Sequence, residues 1–96
     1  MPDSTTIRTV SLSDADKGFR GRVVRVGVVV VPGGTVAPHL LELERRLVEM
    51  GFVEGAEVHL LHEGFLGGDP IAVRVDDTTV AVRRRDARMV LVDPEE

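Results

Sequence analysis

The sequence predicts a mainly β fold: a small barrel of about five short strands with one α-helix inserted between early strands. Three observations predict it. Valine supplies 18 of the 96 residues, and β-branched side chains suit a pleated, half-buried surface. Short stretches of alternating apolar and polar residues recur between turn signals rich in Gly, Pro and Asp. Only one stretch, from Pro38 to Met50, spaces its apolar residues three or four apart, the period of a helix.

Taken in order, Met1 to Thr6 is polar, and residues 1–10 read as a flexible N-terminal segment. Leu12 to Gly18 reads as a short helical turn, capped by Ser13 and released by Gly18. Gly21 to Val30 reads as a strand with Val24, Val26, Val28 and Val30 on one face and a bulge at Gly27. Val31-Pro32-Gly33-Gly34 can only be loop. The helix then opens with Pro38 at a first helical position. Its stripe is Leu40, Leu43, Leu47 and Met50, widened by Leu41 and Val48. Glu42 and Arg46 form an i,i+4 pair on the far face, Glu44 sits at the rim, and Gly51 ends the helix at C′. Ala56 to His62 alternates as a strand, and Gly64 to Pro70 reads as a loop. Ile71, Val73 and Val75 alternate as a strand, Asp76-Asp77 turns the chain, and Val80 and Val82 continue the pattern. Arg84 to Arg88 is a polar interruption before a last strand at 89–92. No repeat or linker divides the chain, so 1–96 reads as one domain.

Composition excludes several functions. The chain has no cysteine, hence no disulfide frame, thiol nucleophile or cysteine metal site. No apolar run is longer than that from Val28 to Val31, against the ~20 residues of a membrane-spanning helix. The N-terminal residues lack the basic and apolar regions of a signal peptide, so a cytoplasmic location without membrane insertion is expected. A formal net charge of −4 disfavours nucleic-acid binding. Three Phe with no Trp or Tyr disfavour base stacking and polyproline recognition.

No catalytic constellation stands out, and no cofactor or enzyme activity is expected. Every serine lies at or before position 13, and the single lysine, Lys17, has no phosphate-loop motif around it. His39, His59 and His62 are the only imidazoles. On an unbroken strand His59 and His62 point to opposite faces. His59 with Glu57 makes a weak metal candidate, and the plainer account is solvated histidines. The basic run Arg83-Arg84-Arg85-Asp86-Ala87-Arg88 suits an acidic partner or a membrane surface, but the plainer account is Arg83 as the outward residue of a strand and the others as a solvated turn.

Four motifs carry a family resemblance. Arg46-Leu47-Val48-Glu49-Met50-Gly51-Phe52-Val53-Glu54-Gly55-Ala56-Glu57-Val58 resembles the helix-to-strand signature of the FeoA family. Phe65-Leu66-Gly67-Gly68-Asp69-Pro70-Ile71 is similar to that family's Pro-Leu-Gly-Asp-Pro loop, with one additional glycine. Val80-Ala81-Val82-Arg83-Arg84-Arg85-Asp86-Ala87 resembles its Ala-Leu-Arg strand and tight turn, and Leu12, Gly18 and Gly21-Arg22-Val23-Val24 resemble its opening element. The resemblance implies an SH3-like barrel and a small cytosolic accessory protein of bacterial ferrous iron uptake. It implies docking on the cytosolic part of the FeoB transporter, which carries a GTP-binding domain. Leu66, Gly67, Asp69, Pro70, Arg83, Arg84 and Arg85 then become candidate partner-binding residues. Arg46, Leu47, Gly51, Gly55 and Ala87 become structural motif residues. The alternative is a free-standing transition-metal-binding or metal-sensing domain similar to the C-terminal domain of iron-dependent repressors. A self-associating homo-oligomer is a weaker expectation, since an exposed strand edge is a pairing template.

Overall fold

A computed structural model of the chain describes residues 9–27 and 33–95. Its elements are β1 (Val10–Ser11), a 3-10 turn (Leu12–Asp14), β2 (Arg20–Val26), α1 (Pro38–Glu49), β3 (Glu57–Leu66), β4 (Asp69–Val75), β5 (Thr78–Val82), α2 (Arg84–Ala87) and β6 (Val90–Pro94). The six strands form one sheet in the order β1-β6-β2-β3-β4-β5, and every pairing is antiparallel. This is the small SH3-like architecture the sequence predicts, with one strand more than the expected five and α1 inserted between β2 and β3.

The strands form because alternate residues bury. Val58 and Leu60 of β3, Ile71, Val73 and Val75 of β4, and Val90 and Val92 of β6 line the core with Leu12, Val23, Leu47 and Phe52. Fully burying one such side chain contributes about 1.5–3 kcal/mol. Among the described residues the buried set contains no polar or charged side chain.

The structure departs from the expected elements at four places. First, Thr9 and Val10 lie in the stretch expected to be flexible, yet Val10 pairs with Val92 and the Thr9 hydroxyl donates to Asp93 at 2.8 Å. Second, Ser11, not Ser13, caps the 3-10 turn, accepting from the Ser13 backbone N–H. Third, the bulge of β2 falls between Val23 and Arg25 rather than at Gly27. An extra residue exchanges the two faces, so Val23 is buried while Val24 and Val26 are only half-buried. The expected continuation of this strand through Val28 and Val30, and the loop at 31–32, lie outside the described residues. Fourth, Gly64 to Pro70 is not a loop: β3 and β4 continue through it and join by a two-residue turn.

The helix matches its expected span, with Pro38 in the first turn and no side-chain cap. Leu47 is buried and Leu43 and Met50 pack on the core, whereas Leu41 and Val48 face outward. Gly51 stands at φ 112. Its N–H donates to the Val48 carbonyl and the Phe52 N–H to that of Leu47, a Schellman closure that glycine adopts without strain. The ion pairs on the outer face use Arg45, at 2.6 Å from Glu42 and 3.7 Å from Glu49; the expected Glu42–Arg46 pair does not form. Among the described residues no helix is long and apolar enough to cross a membrane.

Candidate functional site

The β3–β4 hairpin extends past the core. Leu66 pairs with Asp69 across Gly67 and Gly68, whose φ values of 68 and 80 suit the primed turn that matches strand twist. Among the described residues the apolar pair before that turn is left unpacked: Phe65 is 105% exposed and Leu66 85%. Burying such side chains is favourable, so an aromatic and a leucine exposed together at one tip make this hairpin the candidate site.

The turn end of the hairpin is held by Arg84. This arginine belongs to the run that reads as a solvated turn, but only 23% of its side chain is exposed. Its Nε donates to the Gly68 carbonyl at 2.9 Å. One terminal nitrogen donates to the Ser13 and Ala15 carbonyls at 2.8 and 2.9 Å, and the other to a Glu63 carboxylate oxygen at 3.0 Å. The fork geometry of guanidinium allows one side chain to bind four acceptors from three chain segments. The Arg84 backbone N–H donates to the Asp69 carboxylate at 2.9 Å. Asp69 thereby satisfies a first-turn donor of α2, which has no side-chain cap of its own.

The structure therefore brings Leu66, Gly67, Asp69, Pro70 and Arg84 together, but in different roles. Asp69 and Arg84 are internal fasteners. Leu66 and Gly67 are exposed at the tip, Pro70 is exposed on β4, and Arg83 and Arg85 are exposed beside α2. Arg83 is not the outward strand residue that the sequence suggests; it precedes α2, accepting from Ala87 through its carbonyl. Ala87 is fully buried, which fits its place in the structural motif. Of the remaining motif residues, Leu47 and Gly51 form the helix closure, and Gly55 stands at φ 88 and donates to the Val23 carbonyl. Arg46 is exposed on α1. Sequence reasoning quoted Phe65 as part of a motif but gave it no role. The signal was there: an apolar pair immediately before a Gly-Gly turn. No local pattern could show that Arg84 reaches Ser13, since 71 positions separate them.

His59 and His62 share a face after all. A register shift between Leu60 and His62 puts them opposite Arg74 and Ala72, two alternate positions of β4. Glu57 is engaged by Arg22 at 2.9 Å. Among the described residues no group of three metal-ligating side chains exists.

The FeoA domain family profile matches residues 10–94. No curated protein sequence matches the chain. Among solved structures, FeoA of Stenotrophomonas maltophilia, described in complex with zinc as a prokaryotic SH3 domain protein, is 32% identical with a TM-score of 0.69 over 88% of this chain and 89% of that one. An iron uptake regulatory protein, also FeoA, is 25% identical with a TM-score of 0.68 over 92% and 99%. A manganese-dependent transcriptional repressor in complex with manganese shares the fold at 20% identity and a TM-score of 0.70, over 95% of this chain and 39% of the repressor.

Proposed function

The chain belongs to the FeoA family, a family associated with ferrous iron transport, and from that premise we propose that it is a cytoplasmic accessory protein of ferrous iron uptake, without catalytic activity. It acts by protein–protein contact with the cytosolic part of the FeoB transporter. The observation that carries the reading is the β3–β4 tip, where Phe65 and Leu66 stand free on a hairpin braced by Arg84. A rigid scaffold presenting an exposed aromatic is the usual anatomy of a binding hot spot. Arg83 and Arg85, exposed on either side of Arg84, supply a basic rim that favours an acidic surface on the partner.

Calorimetry between this chain and the cytosolic part of FeoB tests the proposal. Phe65→Ser should weaken binding about 30-fold, the size of a ~2 kcal/mol hot spot. Wild-type protein that fails to bind in every nucleotide state sinks the proposal, and so does undiminished binding by the variant.

A second reading, metal binding, takes its support from the zinc complex of the Stenotrophomonas maltophilia protein and from the shared face of His59 and His62. Anaerobic titration with Fe²⁺ or Zn²⁺ tests it; heat that His59→Ala and His62→Ala abolish is the expected result, and absence of heat removes it.

A further inference from the structure

β5 is an edge of the sheet: it pairs with β4 and, among the described residues, with no other strand. Proteins usually blunt such an edge by shortening it, charging it, bulging it or placing proline on it. The opposite edge follows that rule, since β1 has two residues and runs straight into the 3-10 turn. β5 uses none of these devices. Thr78-Thr79-Val80-Ala81-Val82 carries no charge and no proline. Its ladder to β4 runs unbroken from Val75↔Thr78 to Ile71↔Val82, whereas the β2–β6 and β3–β4 ladders are both interrupted. Thr78, Thr79 and Ala81 are exposed and Val80 is half-buried.

Hydrogen-bond parity fixes which backbone groups of β5 face outward. The Asp76-Asp77 turn closes on Val75 and Thr78, the hydrogen-bonded pair of a two-residue hairpin. Such pairs alternate along an antiparallel ladder, so Thr78, Val80 and Val82 direct their N–H and C=O groups at β4. Thr79 and Ala81 direct theirs away from it. These outward groups are self-complementary about a two-fold axis at Val80: Thr79 faces Ala81 of a second copy, and each donates its N–H to the carbonyl of the other. In the same register Thr78 faces Val82, and Asp77 faces Arg83, whose backbone is extended at φ −74 and ψ 146. No like charges meet, and the charged pairing, formed twice, joins opposite signs. Asp77 and Arg83 are exposed, and neither makes an ion pair among the described residues.

We propose that β5 pairs antiparallel with β5 of a second copy of this chain about a two-fold axis at Val80, with Asp77 of each copy facing Arg83 of the other. The contact is isologous and closes at two subunits. It uses neither Phe65 nor Leu66, so it stands or falls apart from docking at the hairpin tip.

Sedimentation velocity of the full chain alone, at low ionic strength, tests the proposal. The contact is small, so a weak dimer is expected, and loading up to about 1 mM covers that range of Kd. The expected result is reversible monomer–dimer exchange, with amide chemical shifts that move with concentration most at Thr79 and Ala81. Asp77→Arg and Arg83→Asp should each weaken the dimer about tenfold, since each sets two like-charged pairs across the axis. The double variant Asp77→Arg with Arg83→Asp should restore it. Both side chains are exposed, so the dilute variants should melt near the wild-type temperature. A chain that stays monomeric at every concentration overturns the proposal. So does a dimer whose affinity neither single variant alters, or whose concentration-dependent shifts centre away from β5.

Discussion

Replacing Arg84 with alanine tests the internal brace directly. The truncation removes four side-chain hydrogen bonds, to Gly68, Ser13, Ala15 and Glu63. Bonds to charged groups contribute about 1.5–3 kcal/mol each when isolated, but bonds sharing one guanidinium are not additive. Water also reaches the exposed part of the side chain, and the Glu63 contact is discounted because it lies near the surface. Two effective bonds give a loss of about 3 kcal/mol. For a domain of this size, 1 kcal/mol shifts Tm by roughly 4–8 °C, so the variant should melt more than ~10 °C below wild type. Arg84→Lys keeps the charge but lacks the planar fork, and should recover less than half of the loss. Thermal unfolding by circular dichroism gives the magnitude, and amide hydrogen exchange at Gly67, Gly68 and Arg85 gives the location. A Tm within ~2 °C of wild type, with unchanged exchange at the hairpin, refutes the brace.

Three further outcomes follow from the same geometry. Gly51→Val should destabilise by about 2 kcal/mol, since it forces a β-branched residue to φ 112 and brings its Cβ to 3.2 Å from Val75 Cγ1; chemical denaturation measures it, and an unchanged midpoint removes the C′ assignment. Ser11→Ala should cost about 1 kcal/mol, because the hydroxyl caps Ser13, and urea melts resolve that change. Phe65→Ser should leave the monomer's stability within about 0.5 kcal/mol, as befits a side chain fully exposed among the described residues. A fall of several degrees in its Tm places Phe65 in the fold instead of at a docking tip.

The alternation of Ile71, Val73 and Val75, the stripe ending at Leu47 and the stop at Gly51 were readable because each depends on neighbours within one or two turns of chain. The parts that were not readable depend on register. Nothing in Glu57–Leu66 announces a bulge beside Leu61, yet that extra residue brings His62 round to the face of His59. A second irregularity between Glu63 and Leu66 coincides with the stretch that reads as loop, because glycines that permit a bulge and glycines that permit a turn look alike in sequence. The Arg83–Arg88 run misled for a different reason. A charged residue is expected in water, and only the approach of Gly68, Ser13 and Ala15 supplies the acceptors that draw Arg84 inward. The candidate site was thus legible as a location, through Leu66, Gly67 and Asp69, while its division into exposed tip and internal fasteners was not.

The order of strands in the sheet has a consequence for how the protein must be assembled. β6 follows every other element in the chain, yet it lies between β1 and β2. The earlier strands can form the β2-β3-β4-β5 meander by local pairing, but β1 has no hydrogen-bonding neighbour in the sheet until β6 arrives. During synthesis the meander would therefore wait with the edge of β2 open, and contacts of such long range form slowly. An open edge is also a pairing template for another chain. A truncation that removes β6 should accordingly leave a species prone to self-association rather than a shorter version of the native domain.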